Sequence, residues 1–187
     1  MPVPLLTDWI ENAALVTRVR RDRDALDRLA RSDGLTGLAN RRTFEAAVDG
    51  ECARARRSRA PLTVVYLDID RFKAINDRFG HAAGEQVLRQ LAMAIGETVR
   101  AGGDVGYRLG GDEFALVLSS STAAHADAVV SRIRSFCAAH DARWAVGAFE
   151  FSAGIVEFDF EESASELVGR GDAAMYRQKA SRRPIAA

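Results

Sequence analysis

The chain has 187 residues, 48% hydrophobic and 28% charged, and its 26 basic and 26 acidic side chains balance to a formal net charge of zero. That is enough chain for one globular domain plus an appendage, and too little for two full domains. Zero net charge removes the basic footprint by which proteins grip long DNA or RNA, and no apolar run is long enough to insert into a bilayer.

The N-terminus, MPVPLLTDWIENAALV, has no basic stretch ahead of an apolar one, so no secretory signal is expected and the location is read as cytoplasmic. In a reducing compartment Cys52 and Cys137, far apart and outside any metal or redox spacing, read as free thiols. Apolar or small residues at Leu5, Trp9, Val16, Val19, Leu26 and Ala30 predict a helix over 5–30, suited either to pairing with a second copy or to docking on the body. The predicted division is therefore 1–31 as a helical stalk and 32–187 as the domain.

After the turn-rich SDGLTGLAN, residues 41–58 are helix-compatible, and LTVVYLDI predicts a buried strand over 62–69. Gly80 separates two further helices, RFKAINDRFG and 81–100. Strands near 104–109 and 112–118 flank Gly110-Gly111 as a hairpin. A helix over 122–140, strand structure over 144–158 and a closing helix over 163–181 complete the order. This alternation predicts an α/β sandwich, a mixed central sheet that includes an antiparallel hairpin, with helices on both faces.

Two motifs carry chemistry. Asp68 and Asp70 close an apolar strand, where a carboxylate is costly unless it is solvated or paired with a cation. A hard-cation site is one reading of them; a solvated strand end, or an N-cap by Asp70, is the other. In RLGGDEFALVL, two glycines permit a sharp turn and two carboxylates follow at once. If that hairpin lies beside the Asp68 strand, Asp68, Asp112 and Glu113 converge as oxygen ligands suited to phosphoryl chemistry.

From about Asp33 to Arg183 the chain carries DGLTGLANRR, LDIDRFKAINDRFGHAAGE, RLGGDEF, FSAGI and DAAMYRQK in that order, and in this it resembles the GGDEF-type diguanylate cyclases. The resemblance implies a ferredoxin-like, palm-type nucleotidyl cyclase fold. It also implies condensation of two GTP into cyclic di-GMP across a homodimer, with Mg2+ as cofactor and Mn2+ as a substitute. Metal ligation falls to Asp68, the Ile69 carbonyl, Asp112 and Glu113. Asp68, Asp112 and Glu113 form the catalytic set, with Glu113 assisting deprotonation of the ribose 3'-hydroxyl. Lys73, Lys179 and Arg183 would hold the triphosphate with the main-chain N–H groups of Phe72 and Lys73, while Asn76, Asp77 and Glu85 would contact the rest of the nucleotide, Asn76 and Glu85 at the guanine edge. Both lysines of the chain, Lys73 and Lys179, thus fall at motif positions.

Two departures stand out. Glu85 replaces the family's usual Asp, which keeps the charge on a longer side chain. Ala101 occupies the arginine position of the RxxD product-binding motif whose Asp aligns with Asp104, while Arg100 is one residue out of register, so product inhibition through that site is expected to be weak or absent. In this reading Asp33 and Asn40 cap or tie the turn before a helix, Leu35 and Leu38 reach the core, Arg41 and Arg42 are solvated, and Ser152 and Gly154 serve strand packing. No DNA, RNA or membrane partner is expected; an upstream sensor domain or a partner protein would supply control. The other functions considered are a regulatory module that binds GTP or a cyclic dinucleotide without turnover, and a cyclase of altered base specificity.

Overall fold

The computed structural model describes residues 15–19, 30–100, 102–140 and 147–181. Most of the predicted stalk, Ala101, Trp144 and Arg183 lie outside these residues. Residues 15–19 are helical, with Leu15, Val16 and Val19 exposed.

Five strands form one mixed sheet in the order β1-β3-β4-β2-β5: β1 (Ala39–Asn40), β2 (Leu62–Ile69), β3 (Asp104–Gly110), β4 (Glu113–Ser119) and β5 (Phe151–Glu157). β1 runs parallel to β3, and the other pairings are antiparallel. β2 is buried along its whole length, as its continuous apolar sequence requires of a strand covered on both faces.

Alternation along β2 sorts its side chains between two cores. Val65, Leu67 and Ile69 face α3 (His81–Thr98) and α4 (Ala123–Ala139), packing with Val87, Leu91, Ile95, Val129 and Ile133. Leu62, Val64 and Tyr66 face α1 (Arg41–Ser58) and α5 (Ala164–Ser181), packing with Phe44, Val48, Leu167 and Met175. By the same alternation Asp68 points to the α1/α5 side. Helices do cover both faces, giving the palm-like architecture expected from the sequence.

Asn40 N-caps α1, its side-chain oxygen accepting from Thr43 N at 3.1 Å, and Asp33 ties the preceding turn through Thr36. Leu35 and Leu38 pack against the α3/α4 core. Residues 144–146 of the strand predicted over 144–158 lie outside the described residues; within the described part the strand is Phe151–Glu157, residues 147–150 are irregular, and Gly147 has φ +71, which extended backbone does not allow. The short α2 (Phe72–Phe79) begins after Arg71, itself at φ 57, and Arg71 rather than Asp70 is its N-cap residue.

Both cysteines are free and buried, and burial pushes each thiol up to about 11. A thiol-specific disulfide reagent is therefore expected to leave Cys52 and Cys137 unmodified in the native protein and to titrate both after denaturation. Rapid labelling of either in the native state would contradict this packing.

Candidate active site

The end of β2 is clamped from both sides. Asp68 stands opposite Glu113 of β4 and opposite Ser152 of β5 in the two ladders. Beyond it, Ile69 N donates to Asp112 O at 3.3 Å and Asp70 N to Glu150 O at 2.9 Å. The sheet register thus brings the LDID strand end and the GGDEF turn together, although they lie more than forty residues apart in the chain.

The turn needs both glycines: Gly110 has φ 140 and Gly111 φ 52, backbone states that side chains rarely tolerate. Arg108 holds the turn from outside, donating to Gly111 O at 2.7 and 3.2 Å and pairing with Asp33 at 2.9 Å. Burial pushes the Asp33 carboxyl up, and the hydrogen bonds from Thr36 and Arg108 outweigh that push, so it lies below the usual range. Arg108 went unassigned in the sequence because nothing local marks its partners.

Asp68 is 5% exposed. Burial raises its carboxyl above the ordinary carboxylate range; the neighbouring charges of Asp112 and Glu113 add to the rise, against the hydrogen bond and charge of Lys179. Lys179 Nζ donates to Asp68 Oδ1 in a tight ion pair. Gly171, Met175 and Lys179 follow at four-residue spacing on α5, so the stripe that docks this helix on the sheet ends in the ammonium that meets Asp68. Gln178 adds a second tie, accepting from Ala153 N of β5.

Arg41 is exposed, as expected, and its guanidinium also donates to Leu109 O at 2.8 Å and to Glu113 Oε2 at 3.2 Å. Chain direction explains this: α1 starts directly after β1, which pairs with the β3 side of the hairpin, so its first residue overlooks the turn. Arg42 is exposed.

Asp70 does not cap α2; it is half-buried at the edge of the cleft. Its Oδ1 accepts from Ser152 Oγ at 2.7 Å, and Ser152 is fully buried. Ser152 was read as strand packing, yet it ties β5 to the loop that leads into α2. Ser152→Ala is expected to lower turnover and to cost about 1 kcal/mol of stability, one buried hydrogen bond. Kinetics and thermal melts check this, and unchanged values in both would remove the bond's role.

A cleft of about 980 Å3 opens beside this cluster, walled among others by Phe72, Lys73, Asp112 and Lys179. The first N–H groups of α2, at Phe72 and Lys73, have no side-chain cap and face the unfilled first turn that every helix start leaves. Asp68, Ile69, Asn76, Asp77, Glu85 and Glu113 are not part of the cleft wall. Asn76 and Asp77 lie in the second turn of α2, with Asp77 exposed, and Glu85 is exposed near the start of α3, where Arg89 stands 3.6 Å from it.

The donor set suits a hard cation. Asp68, Asp112, Glu113 and the Ile69 carbonyl all offer oxygen donors, and a buried acid raised in part by two neighbouring carboxylates lacks positive charge, a deficit that the Lys179 ammonium meets here. As the side chains stand, no group of three or more acidic, His or Cys side chains among the described residues is arranged to chelate an ion. Lys179 engages Asp68 and Arg41 engages Glu113.

The family described as "Diguanylate cyclase, GGDEF domain" matches residues 30–184. The chain is 35% identical over 150 residues to diguanylate cyclase DosC of Escherichia coli K12, covering 79% of this chain and 32% of that protein. It is 32% identical over 151 residues to DgcS of Shewanella oneidensis, covering 81% and 50%. It therefore spans between a third and a half of the length of these relatives. Among solved structures, the coiled coil and GGDEF domain of DgcB from Caulobacter crescentus in complex with c-di-GMP superposes with a TM-score of 0.86 at 32% identity, covering 97% of each chain. Diguanylate cyclase SiaD of Pseudomonas aeruginosa, bound to its activator SiaC, gives 0.78 at 31% identity, covering 95% of this chain and 69% of that one. No described helix is long and apolar enough to cross a membrane. With its motifs in order, its mixed five-stranded sheet and its Gly-Gly turn against the Asp68 strand, the chain belongs to the GGDEF domain family of diguanylate cyclases.

Proposed function

We propose that this domain condenses two GTP into cyclic di-GMP, releasing one pyrophosphate for each bond made. The observation that carries the reading is the register that sets Asp68 opposite Glu113, with Asp112 alongside and Lys179 on the same carboxylate. Asp68, Asp112, Glu113 and the Ile69 carbonyl would hold Mg2+, or Mn2+ in its place. When bound, the ion supplies charge neutralisation at the α-phosphate and eases ionisation of the attacking hydroxyl.

The remaining work belongs to the chain. Lys73, Lys179 and Arg183 bind the triphosphate, joined by the N–H groups of Phe72 and Lys73 at the start of α2. Asn76 and Glu85 read the guanine, and Asp77 completes the nucleotide contacts. The ribose 3'-oxygen of one GTP forms a bond to the α-phosphorus of the other, the bond from that phosphorus to the bridging oxygen breaks, and pyrophosphate leaves. Glu113 accepts the 3'-hydroxyl proton. Positioning and charge neutralisation dominate such an in-line displacement.

One domain offers one such cleft, whereas the product needs two GTP of opposite polarity, so two copies must meet. The exposed Leu15, Val16 and Val19 on the described piece of the stalk support pairing through that helix. An upstream sensor or an activating protein would govern the encounter, in a cytoplasmic location where GTP is supplied.

Incubation with Mg2+ and GTP, with ATP in parallel, tests the reading. Cyclic di-GMP and pyrophosphate from GTP alone, at a rate per protomer that rises with protein concentration, is the expected result. Absence of turnover at high protein concentration would favour a regulatory module, and product from ATP a cyclase of altered base.

The reading extends to feedback. Asp104 has a side chain only 1% exposed, and Arg100 lies across it at 2.8 and 3.0 Å while also donating to Ser119 O and Ser121 Oγ. This internal latch occupies the carboxylate that an RxxD site would present to ligand. Cyclic di-GMP is expected to produce no tight non-competitive inhibition through this surface; inhibition of that kind in a product titration would refute it.

A further inference from the structure

α2 packs against α3, and at their contact stands a glycine with a specific neighbour. Gly84 is a buried residue of the first turns of α3. A Cβ built on it would overlap Asn76 Oδ1 outright, and would lie 3.0 Å from Asn76 Cγ and 3.2 Å from Phe72 Cζ. Gly80, one turn earlier, would meet nothing within 4 Å. The overlap is therefore with the Asn76 carboxamide, with a milder approach to the Phe72 ring. Gly84 has no positive φ, so its backbone does not call for glycine. A helix interior disfavours glycine, and its presence at a buried helical position needs a steric reason.

We propose that Gly84 sets base specificity by position: its missing side chain makes the space in which the Asn76 carboxamide stands against α3, one residue before Glu85. This rests on the reading of Asn76 as a guanine contact, and deepens it. An amide must be held in place to discriminate by hydrogen bonding, because a freely rotating one offers donor and acceptor alike. In this chain the backbone of α3 is the wall that holds it. Alanine at 84 would push away the end of a short flexible side chain and leave the backbone packing in place, so the fold is expected to tolerate it while the amide is displaced.

The test uses the full chain and four proteins: wild type, Gly84→Ala, Asn76→Ala and the double variant. For each, KM for GTP, kcat at saturating GTP, the preference for GTP over ATP and the melting temperature are measured. Gly84→Ala is expected to raise KM for GTP about tenfold and to erode the preference for guanine, the weight of about one lost hydrogen bond. Its kcat and melting temperature should hold, the latter even rising because alanine favours helix. The decisive result is the double variant, expected to be no worse than Asn76→Ala alone, since removing the carboxamide removes the overlap.

If the two effects multiply, or Gly84→Ala lowers kcat and melting temperature together, the glycine serves general packing and the proposal is overturned. Should Gly84→Ala fail to fold, a folded double variant would still support overlap with Asn76, and an unfolded one would overturn it. If Asn76→Ala leaves KM and base preference unchanged, the guanine assignment itself fails. If it changes them and Gly84→Ala does not, only the role of Gly84 fails.

Discussion

Asp112→Ala is expected to reduce pyrophosphate release about a thousandfold, several kcal/mol of transition-state charge stabilisation at tenfold per 1.36 kcal/mol. It should do so with the melting temperature nearly unchanged. The link from this residue to the fold is its main-chain oxygen, which accepts from Ile69 N and survives the substitution. Its carboxylate acts on Asp68 as a neighbouring charge that raises that acid, the mark of a site short of positive charge. Mn2+ affinity measured on the nucleotide-free protein should fall in parallel. Retained turnover, or lost turnover with unaltered Mn2+ binding, would separate Asp112 from the cation site. Asp68→Asn is expected to lose turnover to the same degree, and it also frees Lys179 from its partner.

The second large effect is on stability. A Cβ on Gly154 of β5 would meet backbone of α5: it would collide with Met175 N and lie 2.5 Å from Gly171 O and 2.8 Å from Met175 Cα. Backbone cannot swing aside as a side chain can, so Gly154→Ala must lift α5 from the sheet. The expected cost is about 3 kcal/mol or more, at the upper end for overpacking. Because α5 brings Lys179 to Asp68, triphosphate affinity should fall as well. Gly169→Ala on the same helix is the control, since its Cβ would meet nothing within 4 Å, and it should be neutral or stabilising by about 0.5–1 kcal/mol. Denaturant melts of both variants, read against wild type, check the contrast. An unaffected Gly154→Ala would show that α5 can shift without loss.

Close backbone approach at Gly154 and Gly171 also explains why FSAGI and the glycine before DAAMYRQK accompany the catalytic motifs. At Gly171 a Cβ would lie 2.5 and 2.7 Å from the Tyr66 ring, one alternation before Asp68 on β2. The two glycines lower α5 onto the sheet until a lysine at its far end reaches a carboxylate at the end of a central strand. Gly154 was read from the sequence as strand packing, which describes its neighbourhood but not its consequence for Lys179.

Local patterns account for much of the structure. The β2 strand, the Gly110-Gly111 turn, the cap at Asn40 and the helices on both faces follow from periodicity and glycine sterics, which act between residues close in sequence. Less is fixed locally where a polar side chain has several options. Asp70 had the right position for an N-cap and bonds Ser152 instead; Arg41 and Arg42 look alike in sequence, and only Arg41 reaches the hairpin. Within 147–158 the strand is confined to Phe151–Glu157, and Gly147 takes a left-handed φ that composition does not reveal.

The amino-acid sequence by itself determined the architecture, the motif order and the residue types available for phosphoryl chemistry, because alternation, helical period and turn sterics are properties of short segments. Only the tertiary structure decided which polar groups meet. Lys179 answers Asp68 across 111 residues, Arg41 answers Glu113 across 72, and Ser152 answers Asp70 across 82. Those pairings come from sheet register and from how closely α5 and α1 dock, neither of which any local pattern encodes. The opposition of Asp68 and Glu113 in one ladder belongs with them: each motif was visible alone, and their meeting is a property of the sheet.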